Sequence, residues 1–353
     1  MEEIFLRFPH LIEQIFEHLD NQSMARSREV SKTWNKYIDK QKFLQIRIIK
    51  SMIEKYDKVG ESWKNFFKYA NEKILTHFSK ELPNLEFLYK VHGTGLTPLH
   101  LITRIGKKNK QLWKFLIENS KIKNPKSDTG STPLHLAAIH LDYYKNIMGY
   151  VVENNEDINP EDNNGNTPFH KAAIRGRLEI CKYITEKLKN KNPANVSGET
   201  PLHMAAEMGK IDVCKLILEN VNDKNPADSD GTTPLHKAAS MGQFDVCKLI
   251  MDNVENKNPV DNLGVTPLHN AALTGRFDVC KLIMDNVENK NPVDTLGSTP
   301  LHEAATFGKF DVCKLILENV EGKNPRNVFG KTPIDLAKKE KHQKIVKLIR
   351  SYI

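Results

Sequence analysis

The sequence predicts a mainly α-helical chain: a solenoid of about eight helix-turn-helix units with short β-hairpins, preceded by a small helical module. Three observations predict it. Thr-Pro-Leu-His, or a near variant, starts at Thr97, Thr132, Thr167, Thr200, Thr233, Thr266, Thr299 and Thr332. The last five intervals are equal and the first two slightly wider, a period of about 33 residues. Within each unit the apolar residues recur at helical rather than alternating spacing. Residues 1–90 contain no copy of the motif. A unit that cannot bury its own apolar face becomes stable by stacking on its neighbours, which is what a fixed period signals.

The unit opened by Thr233 shows the logic. Thr233 is placed to cap a helix, and Pro234 takes the first helical position, where its missing N–H costs nothing. Leu235 points inward and His236 reaches towards neighbouring turns. Ala238 and Ala239 let two helices approach closely, and Gly242 is suited to end the first helix in the left-handed conformation. Phe244, Val246, Leu249 and Ile250 supply the apolar face of a second helix. Asn258-Pro259 stops that helix, and residues 261–264 turn the chain back in a hairpin. Residues 244–261 and 277–294 are identical throughout, the mark of a recent duplication.

Helix, helix and hairpin in each period, with Thr-Pro-Leu-His, Ala-Ala and Gly at fixed offsets, resembles the ankyrin repeat over residues 91–353. The end units depart from the pattern. The first has Ile102-Thr103 for Ala-Ala, and the second reads His140-Leu141-Asp142 where a glycine is expected. The last has Asp335 for the His and Lys338 for the second Ala. Polar, atypical end units shield the open ends of a solenoid.

The formal net charge of +8 raises nucleic acid as a partner, and its distribution argues against one. Lys and Arg are interleaved with Asp and Glu along nearly the whole chain, the densest basic stretch being residues 338–350. No run approaches the eighteen or so apolar residues of a membrane helix, and the N-terminus has no signal-peptide pattern. The expectation is a soluble, unsecreted protein of the cytoplasm and/or nucleus, with no nucleic-acid or membrane partner.

Cys181, Cys214, Cys247, Cys280 and Cys313 recur once per period, and seven of the 13 histidines fall in the motif. Such regularity invites a reading as Cys–His nucleophiles or metal ligands. Equivalent positions in stacked helices lie roughly 8–10 Å apart, beyond the Cα separation of about 7 Å that a disulfide spans. Cysteine also behaves as a small core hydrophobe, and Val246 and Leu249 place Cys247 near the buried face. No phosphate-binding glycine loop, zinc-type Cys pair or glycine-flanked nucleophilic Ser is present. No catalytic residue, metal or cofactor is expected, and the chain is read as a non-enzyme.

Before the repeats, Phe8-Pro9 opens a helical pattern in which Leu11, Ile12, Ile15, Phe16 and Leu19 form one apolar stripe. A turn at residues 20–23 leads to Met24, and Val30-Ser31-Lys32-Thr33-Trp34 begins a further helical piece. Together these resemble the F-box, which is characterised by Leu-Pro, paired aliphatics, a Leu and then Val-Ser-Lys-x-Trp. Phe8, Leu11 and Met24 replace a Leu, an acid and a Leu of that pattern, each with an apolar residue. The resemblance implies docking to a Skp-type adaptor through Phe8, Pro9, Leu11, Ile12, Ile15, Leu19, Met24, Val30 and Trp34. A helical cap packed on the first repeat is the other reading of the same stripe. Residues 61–82 read as an amphipathic helix with Trp63, Phe66, Phe67, Ile74, Leu75 and Phe78. The chain is accordingly divided into an F-box-like segment (1–47), a helical linker (48–90) and the array (91–353).

The ankyrin resemblance implies that a target binds hairpin tips and the exposed face of each first helix. Apolar residues become commoner there towards the C-terminal half: Leu263, Leu296 and Phe329 at tips, and Met208, Met241, Leu273 and Phe307 on helices. Read as one hydrophobic patch on the concave side they are the target-binding residues; single exposed apolar residues are also ordinary on any surface. The combined expectation is a substrate-recognition subunit of a Skp-cullin-F-box type ubiquitin ligase. The alternative is a non-enzymatic ankyrin scaffold, or a host-directed effector in a host cytosol, whose N-terminal helices only cap the solenoid.

Overall fold

The computed structural model describes residues 95–97, 99–100, 103, 125–140 and 157–353. They fall into two compact bodies, one ending at Ile158 and the other running Asn159–Ile353. The first contributes helix α1 (Pro133–His140). The second holds six helix pairs. Their first helices are α2 (Pro168–Ile174), α4 (Pro201–Glu207), α6 (Pro234–Met241), α8 (Pro267–Thr274), α10 (Pro300–Thr306) and α12 (Pro333–Lys339). Their second helices are α3 (Leu178–Lys187), α5 (Ile211–Leu218), α7 (Phe244–Met251), α9 (Phe277–Asn286), α11 (Phe310–Asn319) and α13 (Gln343–Arg350).

Each first helix starts as its sequence dictates. Thr233 is extended (φ −108°, ψ 165°) and Pro234 occupies the first turn. The Thr233 N–H donates to Nδ1 of His236 at 3.1 Å, so that nitrogen carries no proton. The proton sits on Nε2, which donates 3.0 Å to the Val265 carbonyl at the start of the next unit. His170, His203, His269 and His302 reach forward in the same way to Glu199, Thr232, Ser298 and Lys331. One imidazole thus caps its own helix and ties two units together. In the last unit Asp335 keeps only the first task, its Oδ2 accepting from the Thr332 N–H at 3.1 Å.

Between units the Lys-Asn-Pro element has a matching role. The Asn225 side chain accepts the Leu235 N–H at 3.1 Å, an amide near the helix start without an intrahelical partner. The preceding Lys224 ammonium donates to the Leu218 carbonyl at the end of α5, where a cation suits the helix dipole. Lys191 and Lys323 do the same at Thr185 and Leu317.

The core is a column of Leu235, Ala238, Ala239, Val246, Cys247, Ile250 and Met251 and their equivalents, nearly sealed from solvent except at Lys338 and Arg350 in the last unit. First helices pack on the first helices of both neighbours, with the small Ala pair at the contact. Gly242 ends α6 in the left-handed region (φ 77°), as its position predicts. Phe244 departs from expectation: it is 41% exposed, and Leu249 is half-buried. Met251, seven residues on and therefore on the same side of α7, is buried. It is the position of Phe244 at the helix start, rather than its angle around the axis, that leaves it in solvent.

Among the described residues no β-strand is assigned, and the expected hairpins are hydrogen-bonded turns. Asp261 donates its N–H to Val265 O (2.9 Å) and accepts from Gly264 N–H at its own carbonyl (3.0 Å). Its side-chain Oδ1 takes the N–H groups of Leu263 and Val265 at 2.8 and 2.9 Å. Each tip joins the next through a backbone bond, such as Thr295 N–H to Leu263 O at 2.9 Å. Turns this short give no room for the repeated pairs that make a ladder. No helix among the described residues is long and apolar enough to cross a membrane.

Candidate protein-interaction surface

The Asx turn fixes the backbone of each tip and leaves its second residue free to vary. That residue is Asn164, Ser197 and Asp230 in three successive units, then Leu263, Leu296 and Phe329 in the next three. The apolar three are 64%, 48% and 68% exposed. Nothing in the turn requires an apolar side chain, since the polar residues before them make the same backbone bonds.

Met208, Met241 and Phe307 stand at the far ends of α4, α6 and α10, all exposed. Leu273, one residue earlier in its unit, is half-buried. The sequence reading joins these residues to the tips in a single patch. Tips precede the first helices and the other positions stand at their far ends, about 12 Å along eight residues, so the residues run in two rows. The second row is widened by Ile211, Phe244, Phe277 and Phe310, the exposed first residues of α5, α7, α9 and α11. Sequence reasoning missed them because they fit the helical apolar pattern; their place at the first helical position was the available signal.

Charge on the first helices is paired in two units. Lys171 contacts Asp162 at 2.9 Å, and Lys237 contacts Glu199 at 2.7 Å. Burial pushes both carboxyls up, but the lysine hydrogen bond and charge win and hold them below their ordinary range. Glu303 takes the same helical position in α10. Burial, and then the charge of Asp294, push its carboxyl up.

The repeated Cys and His belong to the frame. All five thiols are free and buried, and burial pushes each up to about 12, so no thiolate is present near neutral pH. Burial lowers His203, His236, His269 and His302, and His100 and His170 to about 4. Among the described residues no group of three or more His, Cys, Asp or Glu is placed to hold a metal ion.

The family model of ankyrin repeats (3 copies) matches residues 68–162, 143–228, 220–294 and 285–352, together most of the chain. The chain belongs to the ankyrin-repeat family. The F-box domain model matches residues 5–46, which makes it an F-box/ankyrin protein. Comparison with curated proteins gives no match. Both elements of this F-box/ankyrin protein are interaction modules, typically without catalysis. Phe8, Pro9, Leu11, Ile12, Ile15, Leu19, Met24, Val30 and Trp34 lie within the F-box match and outside the described residues.

Proposed function

We propose that this F-box/ankyrin protein is the substrate-recognition subunit of a Skp-cullin-F-box type ubiquitin ligase. The observation that carries the reading is the pairing, in one chain, of an F-box match at residues 5–46 with an array whose outer rows expose apolar side chains. Residues 1–47 hold a Skp-type adaptor through the stripe from Phe8 to Leu19 together with Met24, Val30 and Trp34. Residues 48–90 connect that segment to the array, 91–353. The array holds the target through Met208, Met241, Leu263, Leu273, Leu296, Phe307 and Phe329. The chain performs no chemistry; it raises the local concentration of target at a catalyst supplied by other subunits.

The test is adaptor binding by the full-length protein against a Pro9→Ala, Ile12→Ala, Trp34→Ala variant, with circular dichroism to check that the repeats stay folded. Wild-type binding lost in the variant is the expected result. No binding by the wild type returns residues 1–47 to a cap on the solenoid and leaves a general scaffold.

A further inference from the structure

Glu303 stands at the helical position that holds Lys171 in α2 and Lys237 in α6, and Met204 and Asn270 in α4 and α8. Lys171 and Lys237 precede it by four and two repeat periods. Lys171 pairs with Asp162, nine residues before it; Glu303 stands nine residues after Asp294. At α10 the same register brings a second acid to Asp294, and burial, then the charge of Asp294, push the Glu303 carboxyl up. Glu303 is half-buried, and among the described residues no ion pair reaches it. Lys331, exposed at the next tip, makes none with it. Asp294 uses Oδ1 to hold the Leu296 and Ser298 N–H groups at 2.8 and 2.7 Å, and among the described residues no ion pair reaches it. A half-buried carboxylate that no cation among the described residues meets is a ready contact for a cation from a partner.

Apolar surface surrounds this charge. Leu296 is two residues from Asp294, and its tip is joined to that of Phe329 by the Val328 N–H donating to Leu296 O at 2.9 Å. We propose that the tip row binds an extended target segment whose Lys or Arg pairs with Glu303 and Asp294 while apolar residues beside it cover Leu296 and Phe329. This rests on the reading that the repeats hold the target. Neighbouring units are roughly 8–10 Å apart, which one turn of polyproline II, three residues and about 9 Å, matches while returning the side chain to the same face. The segment thus carries apolar residues three apart with the basic residue between or next to them.

Random dodecapeptides are displayed and selected on the full-length wild type, and the enriched peptides are then measured by calorimetry on three proteins. These are the wild type, Glu303→Lys, and the triple variant Leu263→Ser, Leu296→Ser, Phe329→Ser. Glu303→Lys gives α10 the residue that α2 and α6 carry, so it folds, and its melting temperature is expected at or above that of wild type. The expected result is enrichment of Lys or Arg beside apolar residues. Affinity then falls at least about tenfold on Glu303→Lys and recovers when the peptide's basic residue is changed to Glu. Peptides that need the apolar tips but show no basic preference, or bind Glu303→Lys unchanged, overturn the charge pairing and leave the array as a target site. No enrichment, or undiminished binding to the triple variant, overturns the target-binding reading as well.

Discussion

His236 accepts a backbone N–H on one ring nitrogen and donates to a backbone carbonyl with the other, and only the neutral Nε2–H ring does both. Protonation places a second N–H against the Thr233 amide. Burial lowers the pKa of His100, His170, His203, His236, His269 and His302 from the ordinary 6.5, for the first two to about 4. Across that window the unfolded chain binds more protons than the folded one, so stability is full above pH 6.5 and falls as pH drops towards 4. Urea unfolding between pH 7 and 5 should show this fall. His236→Asn should cost about 1–3 kcal/mol at pH 7, the price of an unmet buried partner, while flattening the slope. A slope unchanged by that substitution overturns the assignment. The motif histidine was legible in the sequence as a structural residue, but the carbonyl it meets, in the following unit, was not.

At the scale of the element, the turn between first and second helices shows what stacking demands. Gly242 is left-handed, and a Cβ there would come within 2.7 Å of Arg276 Cδ, whose side chain crosses it from the next unit. Arg276 Nε donates to Ser240 O at 3.3 Å, and His342 Nε2 to Thr306 O at 3.1 Å. In the last described unit Lys341 holds the same left-handed conformation (φ 62°), the single non-glycine with positive φ among the described residues. No described residue follows to cross it, so only the backbone cost of an L-residue remains, roughly 1–2 kcal/mol. Lys341→Gly should therefore raise stability by about 1 kcal/mol, read as an upward shift of the urea midpoint with unchanged slope. The first helices' starts and stops were legible because caps are local chemistry, whereas α7 ends at Met251, well before the Asn258-Pro259 stop the sequence suggests. The exposure of Phe244 was not legible, because an apolar pattern gives the angle around the helix axis and not the depth along it.

Over the whole array, stability is the sum of units and of the interfaces between neighbours. The last unit supplies the Lys331 carbonyl to His302 and buries Ile345, Val346 and Ile349. Deleting residues 331–353 should leave His302 unpartnered, bare an apolar face of the preceding unit, lower the melting temperature and increase binding of an apolar-surface dye. An unchanged melt shows that the terminal unit contributes little. The basic character of this end, exposed Lys338, Lys339, Lys341, Lys344, Lys347 and Arg350, fits a solvated cap.

The sequence by itself determined the repeat, its period, the bounds of the first helices, the structural use of Cys and His, and the F-box-like segment. All of these follow from contacts within a unit or from identity between units. Only the tertiary structure decided that the hairpins of the described residues are turns without strands, where the second helices end, and that Glu303 is half-buried without an ion pair where Lys171 in α2 has one. These depend on distances between residues that a one-dimensional pattern leaves unspecified.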